Sequence, residues 1–203
     1  MNTSADIPMS RKEQTHERIL EVAARAIRRS GYHGVGVADI MKQAGLTHGG
    51  FYAHFPSRDA LLAEAVEYAG RASATNIAQG TALRRAKGVD PFRALVESYL
   101  SEQHLNATEC GCPIAALASE IPRQAENVRT ASTQRVQSLV ELVQQVLPAG
   151  AAPDSAPAVA STLVGAVQLA RALGANAQGR AVLEASRNML LNTFGRPQAT
   201  ASD

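Results

Sequence analysis

The chain has no tryptophan, and aromatic residues fill only 4% of its 203 positions. Strands draw on aromatic and β-branched residues, so an all-β sandwich or barrel is left without its usual material. There are two cysteines, Cys110 and Cys112. They are too few for a disulfide framework and have no nearby Cys or His partners for a structural zinc site. No metal and no cofactor is expected. Met1–Ser10 has no apolar run, so no secretory leader is expected. The least polar stretch, Ser155–Ala170, is too short to span a bilayer and contains Pro157, Ser161 and Thr162. These absences predict a cytoplasmic protein with no membrane partner.

What the chain does have is 45% apolar and 19% charged residues, with much alanine. That composition buries a core and favours helices. The net charge of +2 is small, but it is not evenly spread. Residues 1–60 carry eight Lys and Arg against six acids, and residues 61–203 carry twelve of each. His16, His33, His48 and His54 lie in the same first segment. The asymmetry points weakly to an anionic partner.

Helical periodicity begins near Thr15, with Ile19, Leu20, Ala23, Ala26 and Ile27, and Gly31 ends it. Residues 1–10 read as a disordered lead. A short second helix holds Val37, Ile40, Met41 and Ala44, and Gly45 stops it. Thr47 is placed to cap a third helix through Phe51 and Tyr52, which ends before Pro56. Ser57 then caps a long fourth helix. Further helices are expected from Pro91 to Tyr99 or Leu105, Ile114 to Ser119, Pro122 to Leu147, about 157–175 and about 178–193. A flexible tail follows over 196–203.

Two helices joined by a tight glycine turn form a helix-turn-helix at about 36–55, in which the later helix enters the major groove. Gly49 and Gly50 open that helix at a cost of about 1 kcal/mol each relative to alanine. Close approach to another surface, and free N–H groups aimed at phosphate, would offset the cost. Phe51 and Phe55 are spaced to face a core. Tyr52 and His54 can present polar tips to phosphates. His48 is the side chain in the first turn long enough to read a base edge, such as guanine N7 or O6. Lys42 and Arg58 are expected to add non-specific affinity.

The run from Gly45 to Leu62, with Glu17-Arg18-Ile19-Leu20, Gly31-Tyr32 and Asp39-Ile40 upstream, strongly resembles the TetR family of transcriptional regulators over about residues 13–65. The resemblance implies an all-α fold of about nine helices. A DNA-binding domain over 11–58 would precede a helical effector-binding and dimerisation domain over 59–195. It implies phosphate contacts from Thr47, Tyr52, His54 and Arg58, and base-facing positions at His48 and Gly49. One departure is Gly36, where the family has Ser or Thr capping the second helix.

The family also implies a homodimer on double-stranded operator DNA, released by a small-molecule effector. Val159, Leu163, Val167 and Ala170, with Val182, Ser186, Met189 and Leu190, are the candidate dimer face, although an internal core face has the same periodicity. Phe92, Tyr99, His104, Cys112, Ile114, Leu117 and Gln168 are the candidate effector contacts, and they predict a mostly apolar or aromatic ligand. The expected function is a ligand-responsive repressor. The alternatives are a redox or electrophile sensor acting through Cys110 and Cys112, and an effector-independent DNA-binding protein. An enzyme using Cys112 with His104 lacks a third catalytic group and is not expected.

Overall fold

The computed structural model describes residues 9–152 and 154–195. Most of the expected lead at 1–10, and all of the expected tail at 196–203, lie outside them. Among the described residues there are nine α-helices, two 3₁₀ helices and no strand.

α1 (Arg11–Ser30) starts four residues before the expected Thr15. Its start is set by a capping box. The Ser10 hydroxyl accepts from the Glu13 amide at 3.2 Å, and the Ser10 amide donates to the Glu13 carboxylate at 2.7 Å. Gly31, at φ 74°, ends the helix. α2 (Val37–Gln43) has Gly36 at its N-cap and no side-chain cap. The element after it differs from expectation. His48–Ala53 is a 3₁₀ helix, and Thr47 makes no side-chain cap. Two glycines in the first turn remove the propensity that would draw the segment into an α-helix.

α3 (Arg58–Arg85) runs 28 residues from the Ser57 cap, whose hydroxyl accepts from the Ala60 amide at 3.0 Å. α4 (Pro91–Tyr99) opens with Asp90 capping and proline at a tolerated position. It stops at Tyr99 because Ser101 caps a separate short helix, α5 (Glu102–Asn106). α6 (Pro113–Leu117) follows. A 3₁₀ turn, Ile121–Arg123, then precedes α7 (Glu126–Val146), where one longer helix was expected. α8 (Ser155–Leu173) and α9 (Ala177–Phe194) close the described chain.

Two cores hold these helices. The first joins α1, α2, the 3₁₀ helix and the first turns of α3 through Ile19, Ile27, Tyr32, Met41, Phe51 and Leu61, and it extends to Val128 and Ala131 of α7. The second joins α4 to α9 through Phe92, Leu95, Tyr99, Val143, Leu163 and Leu183. α8 is 19 residues long and largely apolar, longer than the Ser155–Ala170 stretch expected to be too short to span a bilayer. By length and composition alone it passes for a membrane span. Its Val159, Leu163 and Val167 instead sit in the second core. A buried core helix carries the same composition.

Candidate nucleic-acid interface

The turn between α2 and the 3₁₀ helix depends on Gly45, at φ 70°. Only glycine adopts that conformation without strain. The Gly45 amide donates to the Lys42 carbonyl at 3.0 Å and the Leu46 amide to the Met41 carbonyl at 2.9 Å, which closes the end of α2. Phe51 and Phe55 are both buried, as their spacing predicts, and their rings stack at 5.8 Å. This anchor turns the opposite side of the segment outward. Lys42, Thr47, His48, Gly49 and Tyr52 are exposed, and Gly50 is half-buried. Tyr52 is 72% exposed and packs edge-on against Phe51. Gln43 and Ala53 share the exposed row and escaped the sequence reading, because neither residue type signals contact.

The glycines differ in what holds them. A Cβ at Gly50 would meet Met41 at 3.8 Å and the Thr47 hydroxyl at 3.9 Å. A Cβ at Gly49 would meet nothing within 4 Å, and Gly49 does not have a positive φ. The fold therefore places no demand for glycine at position 49.

Two expected phosphate contacts are partly engaged inside the protein. The Arg58 guanidinium donates to the carbonyls of Tyr32 and Val35, in the connector between α1 and α2. His54 is half-buried and its Nδ1 is enclosed without a partner. Burial, then His16, then Lys12 lower its pKa and favour the neutral ring. His16 stacks on Phe55, lies beside His54 and meets the Glu64 carboxylate at 2.8 Å.

The expected effector residues do not converge. His104 lines a cleft of about 310 Å³, with Ile77, Gly80 and Leu83 of α3, Ser98 of α4, and Cys110. Cys112 and Ile114 border a separate space of about 70 Å³ between α3 and α7. Phe92 sits edge-on to Phe194 beside a third cleft. Tyr99 and Gln168 border none of these, and Leu117 is part of the first core. Helical periodicity marks apolar faces, and most of these faces are simply core.

His104 is held as a neutral ring. Its Nδ1 lies 2.7 Å from the Tyr99 carbonyl, and its Nε2 accepts the Cys112 amide at 2.9 Å. The carbonyl requires a proton on Nδ1, which leaves Nε2 as the acceptor. Burial lowers the ring's pKa to about 4. Its acceptor nitrogen is thus taken by a backbone amide, and no Cys–His dyad forms. Cys110 is exposed and Cys112 buried, both as free thiols. No group of three or more metal-ligating side chains occurs among the described residues.

The expected dimer face also needs correction. Val159, Leu163, Val167, Ala170 and Leu190 are buried within the chain's own second core, Val182 packs against it, and Ser186 is half-buried. Only Met189, 47% exposed, faces outward. The most apolar stripe of each helix is the one its own core takes first.

Comparison with known proteins agrees with this architecture. Residues 19–65 match the bacterial regulatory proteins of the tetR family. Residues 88–188 match the C-terminal domain of LmrA/YxaF-like transcriptional regulators. An HTH-type transcriptional regulator of Mycobacterium tuberculosis, Rv0196, is 33% identical over 168 residues, covering 76% of this chain and 83% of its own. LmrA of Bacillus subtilis is 29% identical over 162 residues, 75% of this chain and 81% of its own. Among solved structures, a TetR-family regulator from Agrobacterium tumefaciens superposes with a TM-score of 0.70 at 26% identity, over 89% of this chain and 98% of that one. The reduced form of NemR from E. coli gives 0.72 at 21% identity, over 92% and 100%. The helix-turn-helix, both matched regions and the regulators that share them place the chain in the TetR family of DNA-binding transcriptional regulators, which are not enzymes.

Proposed function

We propose that this regulator is a repressor that binds operator DNA as a homodimer and is released by a small effector. TetR regulators bind operator DNA and act as dimers. The observation that carries the reading is the outward row of His48, Gly49 and Tyr52 on a segment whose aromatic anchor is buried behind it. In our reading His48 and Gly49 meet base edges. Thr47, Gly50, Tyr52, His54 and Lys42 meet phosphates, while Arg58 sets the connector that orients them.

For the dimer, the outward stripe of α8 is the better candidate. Leu169 is 61% exposed and Leu173 45% exposed. A Cβ at Gly165, on the same side, would meet nothing, so a second helix can come close there. Met189 of α9 is also exposed, at 47%. Two copies related by a two-fold axis would present two reading segments to half-sites about one DNA turn apart.

For the effector, the 310 Å³ cleft is the candidate. Its walls mix Ile77 and Leu83 with Ser98, Gln103 and Asn76, which suits a neutral ligand with an apolar body and hydrogen-bonding groups. Exposure of Cys110 in its wall favours thiol sensing as a second reading.

The test is selection of binding duplexes from a random pool, followed by anisotropy titration of the winner. A two-fold symmetric site bound in the nanomolar range is expected. Absence of any sequence preference refutes the reading. For the thiol reading, peroxide must weaken operator binding in the wild type and spare Cys110→Ser.

A further inference from the structure

Arg28 is 8% exposed, a rare state for an arginine. Its Nε donates to the Ala24 carbonyl, one turn back on α1, at 2.9 Å. Its Nη1 reaches across to the Gly111 carbonyl at 3.1 Å and lies 3.5 Å from the Ala69 carbonyl of α3. One buried guanidinium therefore ties three segments: α1, α3 and the loop before α6.

Gly111 is tightly held. Its amide donates to the Ala107 carbonyl. A Cβ built there would lie 2.7 Å from that oxygen, 2.7 Å from Arg171 Nη2 and 2.8 Å from His104 Cδ2. Arg171 of α8 in turn donates to the carbonyls of His104 at 2.8 Å and Leu105 and Ala107 at 3.3 Å. The loop 107–111 is thus wedged between two arginines far apart in sequence, one on α1 and one on α8. His104, Ala107, Cys110 and Gly111 also form one wall of the 310 Å³ cleft. The cleft wall and the Arg28 acceptor are the same residue, Gly111.

Other polar ties between the first core and the rest lie elsewhere. The Tyr32 hydroxyl meets Ser132 at 2.9 Å and the Tyr32 amide donates to Glu120 at 3.0 Å, and neither partner borders the cleft. Arg29 pairs with Glu109 at 3.3 Å, but both side chains are well exposed and such a pair contributes little.

We infer that Arg28 is the positioning residue through which occupancy of the cleft reaches the DNA-reading segment. An occupant that displaces the 107–111 wall withdraws the Gly111 carbonyl from Arg28. The guanidinium is then buried with a lost acceptor, and α1 shifts to satisfy it. α1 carries Ile19, Ala23 and Ile27 into the same core as Phe51 and Phe55, so its shift moves the reading segment. This rests on the cleft being the effector site.

The test uses Cys110 as a handle to fill the cleft. N-Ethylmaleimide adds its alkene carbon to the Cys110 sulfur, and the thiol proton ends on the neighbouring ring carbon. Intact mass and peptide mapping confirm one adduct at Cys110. Operator affinity is then measured with and without the adduct in wild type and in Arg28→Met. A coupled site should lose affinity about 5–150-fold on modification. In Arg28→Met the modified and unmodified proteins should agree within about twofold, since the coupling constant approaches one. An equal loss in both proteins overturns the Arg28 assignment and leaves the cleft reading standing. No loss in the wild type overturns the cleft reading and this inference with it. If Arg28→Met does not fold, hydrogen exchange on the wild type decides. The adduct must raise exchange in residues 107–112 and in the last two turns of α1 together. Change confined to the loop overturns the inference.

Discussion

Gly49→Ala separates the demands of the fold from those of DNA. Inside the protein the new methyl meets nothing within 4 Å, and the backbone is not in the left-handed region. Folding should therefore gain the entropy that glycine loses, about 0.4–1 kcal/mol. For a chain of this length that raises Tm by roughly 1–4 °C. On the operator the methyl must fit between the backbone and a base edge. Overfilling a close-packed contact costs about 1–3 kcal/mol, equivalent to about 5–150-fold in Kd at each half-site. Differential scanning fluorimetry and anisotropy titration on the selected duplex read the two effects separately. A more stable protein with weaker operator binding is expected. A stabilised variant that binds as tightly as the wild type refutes the idea that DNA approaches Gly49.

Salt dependence distinguishes Lys42 from Arg58. Lys42→Ala should flatten the plot of log Kd against log salt by about 0.9 per half-site. Arg58→Ala should leave that slope unchanged while lowering stability by about 1–3 kcal/mol, through the stranded Tyr32 and Val35 carbonyls; a flattened slope in Arg58→Ala would restore it as a phosphate contact. His104 gives a pH signature. Its folded pKa of about 4 lies below the ordinary 6.5, so the unfolded chain binds more protons between those values. Stability from this group is complete above about pH 6.5 and falls by up to about 3 kcal/mol as pH drops towards 4. Urea midpoints measured from pH 7 to 4.5 should fall more steeply in wild type than in His104→Asn, and parallel slopes contradict the assignment. Leu169→Glu should shift a dimer to monomer in sedimentation velocity; an unchanged dimer moves the interface elsewhere.

Sequence reading worked where a residue's role is local. Gly31 and Gly45 ended helices as expected, Ser57 capped α3, and Phe51 and Phe55 turned inward. Ser10 and Glu13 form a capping box visible in the sequence, yet an apparently polar lead hid it. Reading failed where a role depends on what another segment brings. Val159, Leu163 and Val167 have the periodicity of any buried stripe, and only three-dimensional packing shows that their own protomer covers them. Arg28 and Arg171 look like surface charges on helices. Nothing local says that carbonyls 83 and 64 to 67 positions away in sequence will receive their donors. For Arg28 a faint signal existed: it lies one helical turn from Ala24, on a stripe of small residues that turned out to be buried.

α3 spans both cores without a break. Twenty-eight residues at about 1.5 Å each make a rod of roughly 42 Å. Leu61 and Leu62 at one end are embedded with the reading segment, while Gly80, Leu83 and Arg84 at the other form the cleft. A rod of that length, tilted by about 5° at one end, carries the other through roughly 3.7 Å. Successive base pairs are about 3.4 Å apart. A tilt of α3 about its cleft end would thus carry the other end through about one step of the DNA ladder, and the Ala69 carbonyl of α3, 3.5 Å from Arg28, makes such a tilt part of the same Arg28 junction.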